Sequence, residues 1–323
     1  MRFPLFLAVL LVLTAAALFL LPLVGTAPAA DMYWSVYWKF RFHRTLLAIL
    51  AGGGLALSGL VFQTMFRNPL ATPYTLGIAS GASFGAALFL QSGIHFGFTM
   101  TTATFLGVPF VSFGAFGGAI LAMLFVFALS RFSDVSSEQM LLAGVAVNFF
   151  FASLIVLLQY VSAPHDAVQM LRWTMGGVQN AMPKDNLLLA PVVLFAAVAL
   201  SFFSRELNII TTGKERAESL GINVAAFRTA LFILTSLLVG AVVSITGPIA
   251  FVGLMVPHVA RMFTGVNHLR QIPATVCFGA VFLAVCDTAG RTLLFPTQLP
   301  VGIITGLLGG PFFLWLLLRK TAV

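Results

Sequence analysis

The sequence predicts an all-α polytopic membrane protein with about ten transmembrane helices, on three observations. Of 323 residues, 60% are hydrophobic and 8% are charged, where a soluble domain carries about a quarter. The apolar residues gather into ten windows of bilayer-crossing scale, and the charges lie mostly in short connectors between them. A single soluble core cannot use this much apolar sequence, whereas repeated crossings can. The spans must be helices because backbone groups in hydrocarbon have to be satisfied within the segment.

In order, the windows are 3–24, 45–66, 74–92, 108–130, 139–161, 186–204, 226–246, 248–264, 271–290 and 300–318. The first begins after Arg2 and is followed by small residues at Ala27 to Ala30, like a cleaved signal peptide. Its apolar run is nevertheless longer than the roughly 7–15 residues of a signal core and suits a retained span of about 20. The eighth is short, and Gly247-Pro248 before it is either a kink or a true turn. With the N-terminus inside, eleven of the Lys and Arg residues fall on the cytoplasmic side and six outside, as the positive-inside rule prefers. Ten spans then place both termini in the cytoplasm, in one transmembrane domain over 1–323.

The net charge of +8 forms no basic stripe with interleaved aromatics, so it reads as loop charge and not as a nucleic-acid surface. Arg41, Arg44 and Arg291 sit at outer span ends, against the rule. They read either as side chains snorkelling to phospholipid or as a docking surface for an acidic partner.

Several chemistries are missing. No GxxxxGK[ST] phosphate loop occurs, and Gly213-Lys214-Glu215 lacks its upstream Gly and its hydroxyl, so the chain should bind no ATP. HExxH and paired catalytic carboxylates are absent. His43, His95, His165, His258 and His268 form no metal-spacing set, and His258, following a proline, reads as structural. Cys277 and Cys286, nine apart in one apolar run, support neither a disulfide nor a metal site and read as core. Asp287 is almost alone as an ionisable group inside a span. It reads as the local partner of Arg291 one turn away, ahead of a role as the ion-coupling carboxylate that a gradient-driven transporter needs.

The string RNPLATPYTLGIASGASFGA, 67–86, is the most informative. Arg67, Asn68, Pro69 and Pro73 form a cytoplasmic turn, because each proline drives its predecessor out of helical geometry. Pro73 is tolerated in a first helical turn, so the third span is expected from about Tyr74. Gly77, Gly81 and Gly85 then give a small-xxx-small face on which helix backbones approach closely in lipid.

The whole string resembles the signature of the FecCD-type permeases, membrane subunits of ABC importers for ferric siderophores, haem and vitamin B12. RFHRTLLAILAGGGLALSGLVFQ, LLAGVAVNFF, WTMGG, GKERAESLGINV, GPIAFVGLMVPHVARMFTG, CDTAGR and QLPVGIITGLLGGPFFLWLL extend the resemblance, in order, along nearly the whole chain. Three positions depart from the family pattern: His43 replaces a proline, Thr72 an aspartate and Gln298 a glutamate.

The resemblance implies a type II ABC importer permease architecture and a two-fold pair, either a homodimer or a pairing with a similar second permease. It implies a pair of cytoplasmic ATPases that hold the ATP and Mg, an external binding protein, and a bacterial inner membrane. The chain itself would hold no cofactor and no metal. ATPase coupling falls on a segment of about 206–224, with Gly213, Glu215, Ala217, Leu220 and Gly221. Binding-protein docking falls on Arg41, Arg44 and Arg291. The fifth span lines the path, with Asn148 and Gln159 as candidates, although Asn148 reads equally as a helix–helix hydrogen bond. Its approach, Ser133 to Glu138, would lie near the inner gate. Ferric siderophore is the family's commonest cargo, while haem and cobalamin stay open. The competing class is a secondary transporter driven by an ion gradient. A membrane-embedded enzyme would need catalytic side chains clustered at one depth, and the scattered histidines supply none.

Overall fold

The computed structural model describes residues 3–25, 33–95, 104–105, 108–131 and 137–320. Its helices are α1 (Phe3–Leu20), α2 (Tyr33–Val36), a π-helical stretch Tyr37–Phe42 that runs directly into α3 (His43–Phe66), α4 (Ile78–His95), α5 (Phe110–Arg131), α6 (Ser137–Val161), α7 (Pro164–Thr174), α8 (Pro183–Phe202), α9 (Ser204–Thr211), α10 (Lys214–Ser219), α11 (Val224–Thr246), α12 (Val252–Thr264), α13 (His268–Thr292) and α14 (Val301–Lys320). Two short strands, Thr104–Phe105 and Val108–Pro109, pair antiparallel before α5. With His43 in place of proline, the π-helical stretch enters α3 without interruption.

Among the described residues seven helical runs are long and apolar enough to cross a membrane, containing α1, α3, α5, α6, α8, α11 and α13. The apolar helices α4 and α14 are shorter. With the 13-residue α12 they correspond to the ten windows, which is roughly the expected count.

Helix α3 is the axis of the bundle. It is buried along almost its whole length and is flanked by α13, α12, α11 and α8. At 24 residues it spans about 36 Å, enough to cross a bilayer. α13 lies antiparallel to it. A Cβ on Gly52 would run into the Gly279 carbonyl, and one on Gly279 into the Gly52 carbonyl, so the two backbones touch. In hydrocarbon, where there is no hydrophobic drive between helices, such contact supplies the cohesion. On the other flank, α4 packs on α5 through Gly81 and Gly85 against Gly114 and Gly118. This is the close approach that the glycine spacing predicts.

Two expectations about boundaries are corrected. The third span starts at Ile78, not Tyr74, because Thr72 and Thr75 bond each other's backbone and side chain in a tight turn. Gly77 ends that turn at φ +74°. It therefore lies outside the helical face of Gly81 and Gly85 and meets Gly144 and Val147 of α6 instead. The eighth window is helical only from Val252. α11 stops at Thr246, residues 247–251 run non-helically inward, and α12 begins at Val252 beside Gly59 in the middle of α3. Irregular backbone at that depth survives because protein surrounds it. Gln63 donates to the carbonyls of Gly253 and Leu254, and Gly177 N–H donates to Thr246 O.

Candidate functional site

At one end of the bundle the 67–77 turn and α9–α10 form a single surface. Arg67 closes α3 in the left-handed region at φ 47°. This strained position is held by what its side chain reaches: Nε and Nη2 donate to Ile210 O of α9 at 3.1 and 2.7 Å. Asn68 Oδ1 accepts Leu70 N–H at 2.9 Å, an Asx turn. At Thr72 the hydroxyl accepts Thr75 N–H at 3.2 Å, so it performs the acceptor work open to an aspartate there.

The candidate coupling segment, about 206–224, folds into two short helices, α9 and α10. α9 buries Ser204, Leu207 and Ile210 against the spans. α10 buries Ala217 completely and leaves Leu220 61% exposed. Lys214, Glu215 and Arg216 are exposed beside it. Gly213 and Gly221 bracket α10 at φ +136° and +84°, and a Cβ on either would meet open space. Their requirement is conformational: both turns need backbone angles that L side chains rarely adopt. Ala217 thus anchors, the glycines set the turns, and Leu220 with Glu215 faces outward.

At the opposite end stand the arginines. Arg44 is buried, its Nε lying 3.0 and 2.9 Å from the two carboxylate oxygens of Asp287 and its Nη2 2.8 Å from Oδ1. Nη1 donates to Gln298 Oε1 at 2.6 Å. Asp287 therefore pairs across to α3, not with Arg291 on its own helix. The reason is reach: Arg44 presents its guanidinium edge-on to both oxygens. Arg291 is also buried. Its Nη2 donates to Leu21 O at 2.9 Å, while Nε and Nη1 have no protein acceptor. Arg41 reaches Pro22 O at 3.4 Å. The three arginines line a cavity of about 470 Å³ with Gln179, Gln298 and Phe295. Arg44 is occupied within the fold by Asp287 and Gln298, and of the three arginines Arg291 leaves two guanidinium nitrogens without a protein acceptor. A second cavity of about 530 Å³ at this end includes Arg172, Trp173, Asp185 and Thr246 in its lining.

The sequence profile of the FecCD transport family matches residues 4–319. The chain belongs to that family. It is 36% identical over 290 residues to the hemin transport system permease protein HmuU of Yersinia pestis, covering 90% of this chain and 85% of the relative. It is 34% identical over 320 residues to the vitamin B12 import system permease protein BtuC of Escherichia coli O127:H6, covering 97% and 92%. Among solved structures, a metal-chelate-type ABC transporter in an inward-facing conformation superposes with a TM-score of 0.86 at 30% identity, over 98% of this chain and 99% of the other. The fold is that of an ABC importer permease.

Other site residues of this FecCD chain fall less sharply. Asn148 and Gln159 are half-buried on α6, whose other faces expose Phe149, Phe150, Val156 and Tyr160. Residues 133–136 of the gate approach lie outside the described residues. Both cysteines are buried and free, and His258 packs edge-on against Phe312. Sequence reasoning missed the roles of His268 and Asn208. The ring of His268 bonds Thr64 on one side and Asn208 on the other, at 2.8 and 2.7 Å. The available signal was a buried-type histidine directly after an Asn that caps a span.

Proposed function

We propose that this chain is the transmembrane permease subunit of a binding-protein-dependent ABC importer that carries an iron chelate inward across the bacterial inner membrane by ATP-driven alternating access. The observation that carries this is the near-complete superposition on a metal-chelate-type ABC transporter. Ferric siderophore is our cargo assignment. Haem and cobalamin compete with it, since relatives named for hemin and for vitamin B12 transport are similarly distant.

In this reading the chain performs no chemistry. A cytoplasmic ATPase pair holds ATP and Mg and hydrolyses the nucleotide, while α10 with Leu220 at its rim seats on that pair. The permease acts with a second copy or a similar paralogue, and both termini face the cytoplasm. Arg41 and Arg291 steer acidic groups of an external binding protein towards the outer cavity. Charges that steer and register a partner, without anchoring it tightly, suit one that leaves every cycle. An ion-driven carrier would need a carboxylate free to take and release its ion, and Asp287 is held through both oxygens by Arg44.

The test is co-purification in mild detergent. The native chain is expected to bring an ATPase with it, and Leu220→Asp to lose it while remaining folded. Gly221→Trp is the poorer variant, since the φ of Gly221 strains any side chain. A native chain that stays dimeric yet carries no ATPase contradicts the reading.

A further inference from the structure

His268 stands where three elements meet. Its backbone N–H donates to Asn208 Oδ1 at 2.9 Å, and its ring Nδ1 lies 2.7 Å from the same oxygen. A backbone N–H can only donate, so the Asn208 atom facing His268 is the carbonyl oxygen, and Nδ1 must carry the ring proton. On the far side of the ring, Nε2 meets Thr64 Oγ1 in the last turn of α3 at 2.8 Å. The side chain is buried. One imidazole therefore joins α9, which leads directly into the coupling helix, to the inner ends of both α3 and α13. Arg67 holds the other end of α9 through Ile210 O.

From that junction α3 and α13 run together to the outer cavity. They touch backbone to backbone at Gly52 and Gly279. At the far end they are fastened by Arg44 and Asp287, with Gln298 bringing in the segment before α14. Two helices in close contact and fastened at both ends do not bend independently, because packed interfaces shift between discrete arrangements and do not deform continuously.

We propose that α3 and α13 move as one rod, and that His268 is the positioning residue that hands the displacement of α9–α10 to it, so that the outer arginine cavity responds to the ATPase. This rests on the permease reading above. If His268 merely filled space, other side chains of similar bulk would serve equally, and Asn208 would matter independently of it.

The experiment uses the complex of this chain with its co-purified ATPase in liposomes, with a spin label at Thr297, an exposed residue of the outer turn. Label-to-label distance across the permease pair is measured in the apo state and after trapping with ATP and vanadate. The native complex is expected to show a shift on trapping. His268→Ala and Asn208→Ala are each expected to keep the ATPase bound and hydrolysing while reducing that shift by at least about threefold, within the range that mutations along coupling networks reach. The double variant should be no worse than either single. His268→Asn, which can restore the donor to Asn208, should recover part of the shift.

A native-sized shift in His268→Ala overturns the proposal, as do additive losses in the double variant. Loss of the ATPase from either single variant also overturns it, because these side chains would then hold the coupling face and not transmit through it. A native complex with bound ATPase and no shift shows that the outer turn does not follow α13, and the rod fails. If the native chain binds no ATPase, the permease reading is what fails.

Discussion

Arg44 and Asp287 are 243 residues apart in the chain and share three nitrogen–oxygen contacts of 2.8 to 3.0 Å inside the bundle. No sequence spacing announces such a pair. The nearest candidate by position, Arg291, sits one turn along the same helix yet turns its Nη2 to Leu21 O. Taking one member of a buried pair away costs about 3–5 kcal/mol, because the other is left charged and unpaired. Asp287→Ala is therefore expected to melt well below the native chain. Arg44→Met combined with Asp287→Leu should recover most of the difference. A thiol-reactive dye reads both, since Cys277 and Cys286 are buried and become accessible only on unfolding. Equal melting of native chain and Asp287→Ala would remove the pair from any role in fastening α3 to α13.

Elements were more legible than contacts. Hydropathy located the seven helices of crossing length and placed a shorter helix under each remaining window, because a bilayer imposes length and apolarity on each span independently of its neighbours. What it could not show was the start of the eighth window, where the chain through 247–251 is non-helical and only α12 is helical. Gly247-Pro248 announced a break without telling a kink from a non-helical passage. That passage depends on partners elsewhere in the chain: Gly176 under Pro248 O, Gln63 on Gly253 O, and Gly309 under the Phe251 ring. The glycine spacing on α4 was read correctly at Gly81 and Gly85, while Gly77 turned out to serve the preceding turn. A sharp contrast tests the packing. A Cβ on Gly85 would strike the Gly114 carbonyl, and one on Gly117 would meet nothing within 4 Å. Gly85→Ala should cost about 1–3 kcal/mol through overpacking, whereas Gly117→Ala should stay within about 0.5 kcal/mol. Similar melting of the two variants would mean that α4 and α5 are not held at this distance by their small residues.

At the scale of the whole molecule, one end presents Leu220 on a small helix and the other presents Arg41 and Arg291 around a cavity, with α3 and α13 running between them. The family was legible because motifs such as RNPLATP and GPIAFVGLMVPH encode turns and breaks whose geometry tolerates few residues. The cargo was not legible, since among the candidate site residues none is more than a general hydrogen-bonding or charged group. The measurement that tests the central claim most directly is uptake of a ferric hydroxamate into liposomes containing this chain with its ATPase and binding protein. The account predicts uptake that requires ATP at the ATPase face, persists when ionophores collapse proton and sodium gradients, and is lost with Leu220→Asp. Uptake that proceeds without ATP and stops when the gradients are collapsed would contradict it.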